Sequence, residues 1–395
     1  MTQRQPSNDE FSVVLGGPLY QLFRKAHLTG DALELVRRRV LATAALVWLP
    51  LLILSVVEGL AWGTKVAVPF LRDIEAQGRF LLVVPLLVVS ELTVHQRLRS
   101  IANQFQVRGL IPASAQPQFA AALEATVRLR NSVVAEVAMI VLVYVLGFQF
   151  SWHQHTALEV ATWYARPNGA DSTLTRAGVW YLYFSLPVAQ FLLLRWYYRM
   201  FIWARFLWQV ARIDLRLVPT HPDRVGGLRF LALATSGFAP LAVAHGALVS
   251  AWIANRILQH GAALVDFKVI IIAVAVWMLL LFLGPFLLFS PKLARTRREG
   301  ERDYGPLAQR YAHEFDAKWV HSDPPSRELL LGSADIQSLA DFGNVYAIIS
   351  TMRTTPITRQ AVVQLLASTL APIAPLALTM MPLAQIVKLL FGMLM

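Results

Sequence analysis

The amino-acid sequence of 395 residues contains no cysteine. The chain therefore forms no disulfide and offers neither a thiol nucleophile nor a cysteine ligand for a metal ion. Charged residues are also scarce, at 15% of the chain, whereas apolar residues make up 56%. Acidic residues are fewer than basic ones, with 24 Asp and Glu against 36 Lys and Arg. The positions of the cations relative to the apolar residues therefore carry the most information.

Signatures of common enzyme classes are missing too. The sequence has no phosphate-binding Gly-x4-Gly-Lys-Ser/Thr loop, no Gly-x-Ser-x-Gly nucleophile turn and no His-Glu-x-x-His zinc motif. We therefore predict no cofactor, no metal site and no catalytic residue, and an enzymatic activity is disfavoured.

Long apolar runs divide the chain. About 20 apolar residues in a helix cross the hydrocarbon layer of a membrane, and every backbone polar group must be paired inside it. The ten-residue alternation of a membrane barrel is missing. The pattern predicts an all-α fold, a polytopic membrane protein with about six or seven transmembrane helices. The predicted spans are Val40–Trp62, Phe80–His95, Val133–Phe150, Val179–Leu194, Phe230–Ile253, Val269–Phe289 and Ala361–Met381.

The cations alternate between the segments that join these runs. Since cytoplasmic loops retain Lys and Arg, the cation-rich segments and the N-terminus are predicted to face the cytoplasm, in a bacterial inner membrane. The first run follows 39 polar residues, so we expect it to be a retained span rather than a cleaved signal peptide. Segments 1–39, 96–131, 195–229 and 290–360 hold 28 Lys and Arg, against 7 in 59–79, 151–178 and 254–268.

Aromatic residues cluster around the predicted outer loop, as in the interfacial belt of a membrane protein. They are Trp152, Trp163, Tyr164, Trp180 and Tyr181.

Four regions follow from this topology. Three prolines interrupt the last region, which is predicted to be a kinked span or a re-entrant hairpin. The regions are a cytoplasmic segment 1–39, a six-span bundle 40–289 with cytoplasmic loops 96–131 and 195–229, a cytoplasmic helical segment 290–360, and the C-terminal region 361–395.

The segment 290–360 is predicted to contain two amphipathic helices. The first is expected to start at Gly305-Pro306, because proline suits the first helical position. The second is expected to start at Ser333, which can cap it. Their apolar stripes can pack on each other, lie at the membrane interface or dock another protein. The stripes are Leu307, Tyr311, Phe315 and Trp319, then Ile336, Leu339, Phe342, Tyr346, Ile349 and Met352.

The net charge of +12 is spread along the predicted membrane edges rather than gathered in one patch. Contact with anionic lipid head groups explains it better than nucleic acid. We therefore predict the lipid bilayer as a partner and no nucleic acid. A homo-oligomer and a cytoplasmic protein partner remain open.

Ionisable residues inside the spans form the first candidate site. Glu91 and His95 are four residues apart and share one helix face, while Glu136 and Arg195 are expected at a similar depth. Charges inside a membrane are costly and usually face protein or water. The four residues are predicted to line a proton or cation path, or alternatively to form salt bridges that lock helices together.

A loop before the fifth span is the second candidate site. It leads to a helix N-terminus, where free N–H groups favour an anion such as a phosphate or a lipid head group. The alternative is a turn in which Asp223 caps the backbone locally. The residues are His221, Asp223, Arg224, Gly226, Gly227 and Arg229.

Three functional hypotheses result. The first is a transporter or channel for an ion or small solute, which leads because the intramembrane charges need an explanation. The second is a membrane sensor or scaffold that docks a partner through residues 305–352. The third is an enzyme acting on a lipid head group near the 220–227 loop, for which one loop is little support.

Overall fold

A computed structural model of the chain describes residues 12–14, 16, 36–155, 161–168, 171–321 and 334–380. Within this part the predicted all-α membrane architecture is confirmed. Five helices are long and apolar enough to cross a membrane, and a bent pair of helices adds a sixth candidate.

Ten helices are described in this part of the chain. They are α1 Val36–Val57, α2 Ile74–Val107, α3 Gln116–Arg130, α4 Val133–His155, α5 Arg176–Arg212, α6 Ala234–His260, α7 Lys268–Leu283, α8 Ser290–Trp319, α9 Ala334–Ser350 and α10 Arg359–Leu370. Helices α7 and α8 belong to one continuous helical stretch, Leu264–Trp319. We call the end of the bundle formed by residues 108–132, 213–228 and 351–358 the basic end, and the end formed by 58–73, 161–168, 171–175 and 261–267 the hairpin end.

Helices α2 and α5 are longer than the apolar runs that predicted them. At 34 and 37 residues they extend about 50 Å, well beyond a hydrocarbon layer of about 30 Å. Each contains one wider π-helical stretch, 78–83 in α2 and 181–185 in α5, followed two residues later by a proline. Because proline lacks an N–H group, the change of helical pitch allows the carbonyls before it to find other donors.

The predicted span Val133–Phe150 lies in α4, whose described apolar part, Val133–Val145, is shorter than the five long apolar helices. Val134 and Val141 are largely exposed, whereas Glu136, Met139 and Val143 are buried. The buried residues recur every three to four positions and form one narrow stripe. The exposed valines form a surface suited to lipid, and the stripe faces the other helices.

The hairpin end contains the only strands in the described residues, which the sequence did not predict. Strands β1 Ala165–Asn168 and β2 Asp171–Leu174 pair antiparallel, with Ala165 opposite Leu174. Trp163, expected at the membrane interface, is fully buried and donates a hydrogen bond to Asp73 at 2.8 Å. It packs edge-on against Phe70, so it is part of the core of this end.

Helix α8 starts at Ser290, so the prediction that a helix begins at Gly305-Pro306 was wrong. Pro306 lies inside the helix. The carbonyl that loses its donor there belongs to an exposed turn and can bind water. Ion pairs four residues apart support the first half of the helix, Arg295 with Glu299 at 2.7 Å and Arg297 with Glu301 at 2.8 Å.

Helices α8 and α9 pack on each other, one of the arrangements that the stripes predicted. The rings of Tyr311 and Phe342 stack with centroids 6.0 Å apart. Lys318 Nζ lies 2.7 Å from a carboxylate oxygen of Asp335 in the first turn of α9. The predicted cap Ser333 lies outside the described residues.

The C-terminal region contains a broken helix. Helix α10 is followed by a 3₁₀ helix, Ala374–Met380, at an angle of 53°. The hydroxyl of Ser250 on α6 donates to the carbonyl of Pro372 at the break, at 2.6 Å. Since the 3₁₀ helix contacts residues 264–267 at the hairpin end, the described part runs along the whole bundle, as a kinked span would. Residues 381–395, with Pro382, lie outside the described part.

Candidate functional site

A buried ionic cluster joins three helices through Glu91 of α2. Its carboxylate binds Arg39 of α1 and two arginines of α5, Arg195 at 3.2 Å and Arg199 at 2.8 Å. The two α5 arginines are four residues apart and therefore lie on one face. All four residues are at most 5% exposed. The three arginines thus share one buried carboxylate, that of Glu91.

A fourth helix joins the cluster through Glu136 of α4. Its carboxylate lies 3.6 Å from Nε of Arg195. Next to Arg195, the indole of Trp196 donates to the carbonyl of Leu87 on α2 at 3.0 Å, and Arg199 lies over the same indole ring. These contacts hold α2, α4 and α5 at fixed rotations about their axes.

His95, the fourth predicted residue of this site, lies one turn beyond Glu91 but contacts another part of the chain. Its Nδ1 is 2.8 Å from the hydroxyl of Ser12. Arg130 donates to the carbonyl of Ser12, also at 2.8 Å. Ser12 and Val14 are almost fully buried, so this segment covers the cluster on the side of the basic end.

Little space remains beside the cluster. The cavity next to Arg195 and Arg199 has a volume of about 10 Å³, room for one water molecule. In the observed state the predicted ion path is therefore closed at this level, and its charges form salt bridges.

The structure thus brings together three of the four predicted residues and adds two others. Arg199 stands one helical turn after Arg195 on the same face, and this spacing was a signal that could have included it. Arg39 had no such signal, because it is the last of three consecutive arginines before an apolar helix. Only its burial distinguishes it, with Arg39 at 2% exposure and its neighbours Arg37 and Arg38 exposed.

The predicted anion loop lies at the basic end, between α5 and α6. Three backbone N–H groups, of Val225, Gly227 and Arg229, donate to the carboxylate of Asp223 at 2.8 to 3.1 Å. Partial burial would raise the pKa of this carboxyl, but the three donors and nearby His221 hold the pKa below the ordinary value of 3.8. The carboxylate of Asp223 therefore already accepts the hydrogen bonds of the backbone amides that an external anion would use.

The same loop joins neighbouring segments. Arg224 adopts a positive φ of 57°, and its carbonyl accepts the N–H of Arg353 at 2.8 Å. Gly226 and Gly227 have φ angles of 62° and 95°, which favour glycine. The side chains of Arg224 and Arg229 are exposed at the basic end. The geometry is that of a structural turn with two cations on its surface.

A larger cavity, not predicted from the sequence, lies in the half of the bundle nearer the hairpin end. Its volume is about 510 Å³ and it is partly open. The wall is mostly apolar, with Gln190 and the ion pair Glu75–Arg79 as its polar groups. Arg79 also donates to the hydroxyl of Tyr181 at 2.7 Å. The remaining lining residues are Val83, Leu87, Leu186, Ala189, Leu193, Leu248, Val249, Trp252 and Ile270.

These features define a polytopic helical membrane protein with a charged cluster and a mostly apolar cavity among its helices. Comparison of the chain with protein-family models, with curated proteins and with solved structures finds no match.

Proposed function

We propose that the chain is a transporter that carries a small solute through the bundle. The observation that carries the proposal is an asymmetry along α2 and α5. Near the hairpin end these helices line an open cavity of about 510 Å³, and nearer the basic end they are held closed by the ionic cluster. In each of its states, a carrier with alternating access has its binding site open to one side of the membrane and closed to the other.

The cluster is suited to act as the closed side of this carrier. Glu91 contacts three arginines, and Arg195 contacts two carboxylates. A shift of α5 relative to α2 and α4 can therefore exchange these partners and still keep an arginine beside each carboxylate. The broken helix α10 lies against α6, where the Pro372 break supplies a second place for movement. Interrupted helices of this kind occur beside the binding sites of secondary transporters.

The absence of cysteine provides the test, because single cysteines can be labelled without background. Ala189→Cys lies in the cavity, and Met139→Cys lies beside the closed cluster. In proteoliposomes, a membrane-impermeant thiol reagent should reach Ala189→Cys from the hairpin side. If the protein alternates, the same reagent added at the basic side should reach Met139→Cys slowly, as the cluster opens.

Val276→Cys is the matched control, since Val276 lies on the outside of α7 and is 48% exposed. In a bilayer it should face lipid and remain unlabelled from both sides. The carrier proposal is refuted if Met139→Cys is never labelled from the basic side while Ala189→Cys, prepared in the same way, is labelled normally.

The second candidate is a scaffold that docks a partner through residues 305–352. It is favoured by apolar side chains that α8 and α9 leave exposed, Leu307 at 45% and Ile336 at 41%. The lipid head-group enzyme has less support, because Asp223 is bound to backbone amides. Deletion of 305–352 should remove partner recovery under the scaffold proposal and leave the labelling of Ala189→Cys unchanged under the carrier proposal.

For the location we propose the bacterial inner membrane with the basic end in the cytoplasm, where Arg224 and Arg229 meet anionic lipid. The excess of Lys and Arg at this end supports the proposal.

A further inference from the structure

We infer that the cavity near the hairpin end binds a single-chain amphiphile with a zwitterionic head group, such as a lysophospholipid. This inference rests on the proposed function, since it names the class of solute that the carrier would take. The depth, the width and the polar end of the cavity point to this ligand.

The depth keeps the ligand from spanning the bilayer. Along α2 the lining residues extend from Glu75 to Leu87, and along α5 from Leu186 to Leu193. At 1.5 Å per residue these distances are about 18 and 10 Å, well short of a hydrocarbon layer of about 30 Å. A ligand in this cavity therefore lies toward the hairpin end and does not reach the opposite face of the bilayer.

The width selects a thin ligand. The volume of about 510 Å³ over a depth of about 18 Å corresponds to a mean cross-section of about 30 Å², a narrow slot rather than a wide chamber. An extended alkyl chain fits, and the apolar wall formed by Leu87, Leu193 and Leu248 matches its chemistry.

The polar end selects the head group. Glu75 and Arg79 are one turn apart on α2, and their side chains remain 27% and 15% exposed. The pair presents a negative and a positive charge at the end of the cavity closest to the hairpin end. A phosphate can approach Arg79 while an amine approaches Glu75, whereas a head group of one sign meets repulsion from one member of the pair. Gln190 lies further inside and can donate to an ester or hydroxyl oxygen.

The test uses the full chain in lipid nanodiscs with a diazirine-labelled lysophosphatidylcholine. Photo-crosslinked sites should map to residues 186–193 and 248–252. Ala189→Trp fills the cavity and should reduce the crosslinking at least about fivefold. Val249→Trp is a second filling variant, in case the first disturbs folding, and the lipid-facing Val276→Trp should leave the yield unchanged. Crosslinks spread over the outer surface, unaffected by either filling variant, would overturn the inference.

Competition tests the head group. Unlabelled lysophosphatidylcholine should compete better than lysophosphatidylglycerol or a monoacylglycerol. Arg79→Gln should weaken the zwitterionic competitor roughly tenfold and the uncharged one little. Tyr181→Phe is the control, because it removes the hydrogen bond to Arg79 and keeps the charge. Equal competition by all three lipids would contradict the assignment.

The two proposals fail separately. Cavity crosslinking without alternating access at Met139→Cys refutes the carrier and leaves the amphiphile site standing. Alternating access with no crosslinking in the cavity refutes the amphiphile site alone.

Discussion

Glu91 is the residue on which the buried cluster depends. It binds three arginines, and its pairs with Arg195 and Arg199 are shorter than the pair of Glu136 with Arg195, at 3.6 Å. Removing one partner of a buried ion pair leaves uncompensated charge in a medium that solvates it poorly. The consequences of neutralising the two carboxylates should therefore differ.

Glu91→Gln should lower the free energy of unfolding by about 3–5 kcal/mol, and Glu136→Gln by clearly less. Thermal or denaturant unfolding in one lipid or detergent system measures both. Glu299→Gln is the matched control, since its pair with Arg295 is exposed and should contribute little to the stability. Equal losses for Glu91→Gln and Glu299→Gln would show that the cluster does not stabilise the bundle.

The lowered pKa of Asp223 predicts that the stability of its turn depends on pH. Its pKa is lowered in the folded protein, so the stabilisation of the turn is complete above the ordinary value of 3.8 and is lost as the pH falls through the lowered pKa. Hydrogen exchange of the Val225 and Gly227 amides measures this. Relative to Asp223→Asn, which does not titrate, protection in the native chain should decline below about pH 4. A difference that stays constant from neutral to acidic pH would rule out this role of the carboxylate.

At the scale of elements, α8 approaches the 213–228 loop and α9 very closely at Gly300. A Cβ atom at this position would lie 2.6 Å from Cβ of Pro219 and 3.1 Å from a methyl group of Ile349. Gly305, five residues later on the same helix, has only the hydroxyl of Tyr346 near, at 3.9 Å. The two glycines form a matched pair.

Gly305→Ala should change the stability by less than about 0.5 kcal/mol, because the helical gain of alanine is offset by crowding between its Cβ and the ring of Pro306. Gly300→Ala should lose about 1–3 kcal/mol, since overpacking outweighs the same helical gain. Limited proteolysis after residue 290 and unfolding measurements report both. A stabilising Gly300→Ala would mean that α8 and the loop are not in close contact.

Several elements were beyond prediction from the sequence. The continuity of α8 through Pro306 depends on exposure of one turn, which a sequence pattern does not report. The β-hairpin is held by Trp163 and Asp73, residues 90 positions apart. The amphipathic stripes of α8 and α9 were visible because one side of each helix is polar.

At the scale of the whole molecule, the orientation is testable with the same cysteine-free background. Thr173 is exposed on the hairpin and Arg302 is exposed on α8. If the basic end faces the cytoplasm, an impermeant thiol reagent should label Thr173→Cys in intact cells and Arg302→Cys only after permeabilisation. The opposite result would reverse the proposed topology and every assignment of sides that follows from it.

The sequence by itself determined that several long apolar helices form and which of their ends are rich in cations; it predicted six or seven spans, and the described residues contain five or six. These properties follow from the thickness of a bilayer and from the scarcity of charge in the chain, and both are local in sequence. The tertiary structure alone decided that Arg39 and Arg199 bind Glu91, that Asp223 takes the amides of its own turn, and that a cavity opens beside Arg79. A helix that is apolar on all sides carries no signal of its rotation, so the partners of its few charges depend on how the helices pack.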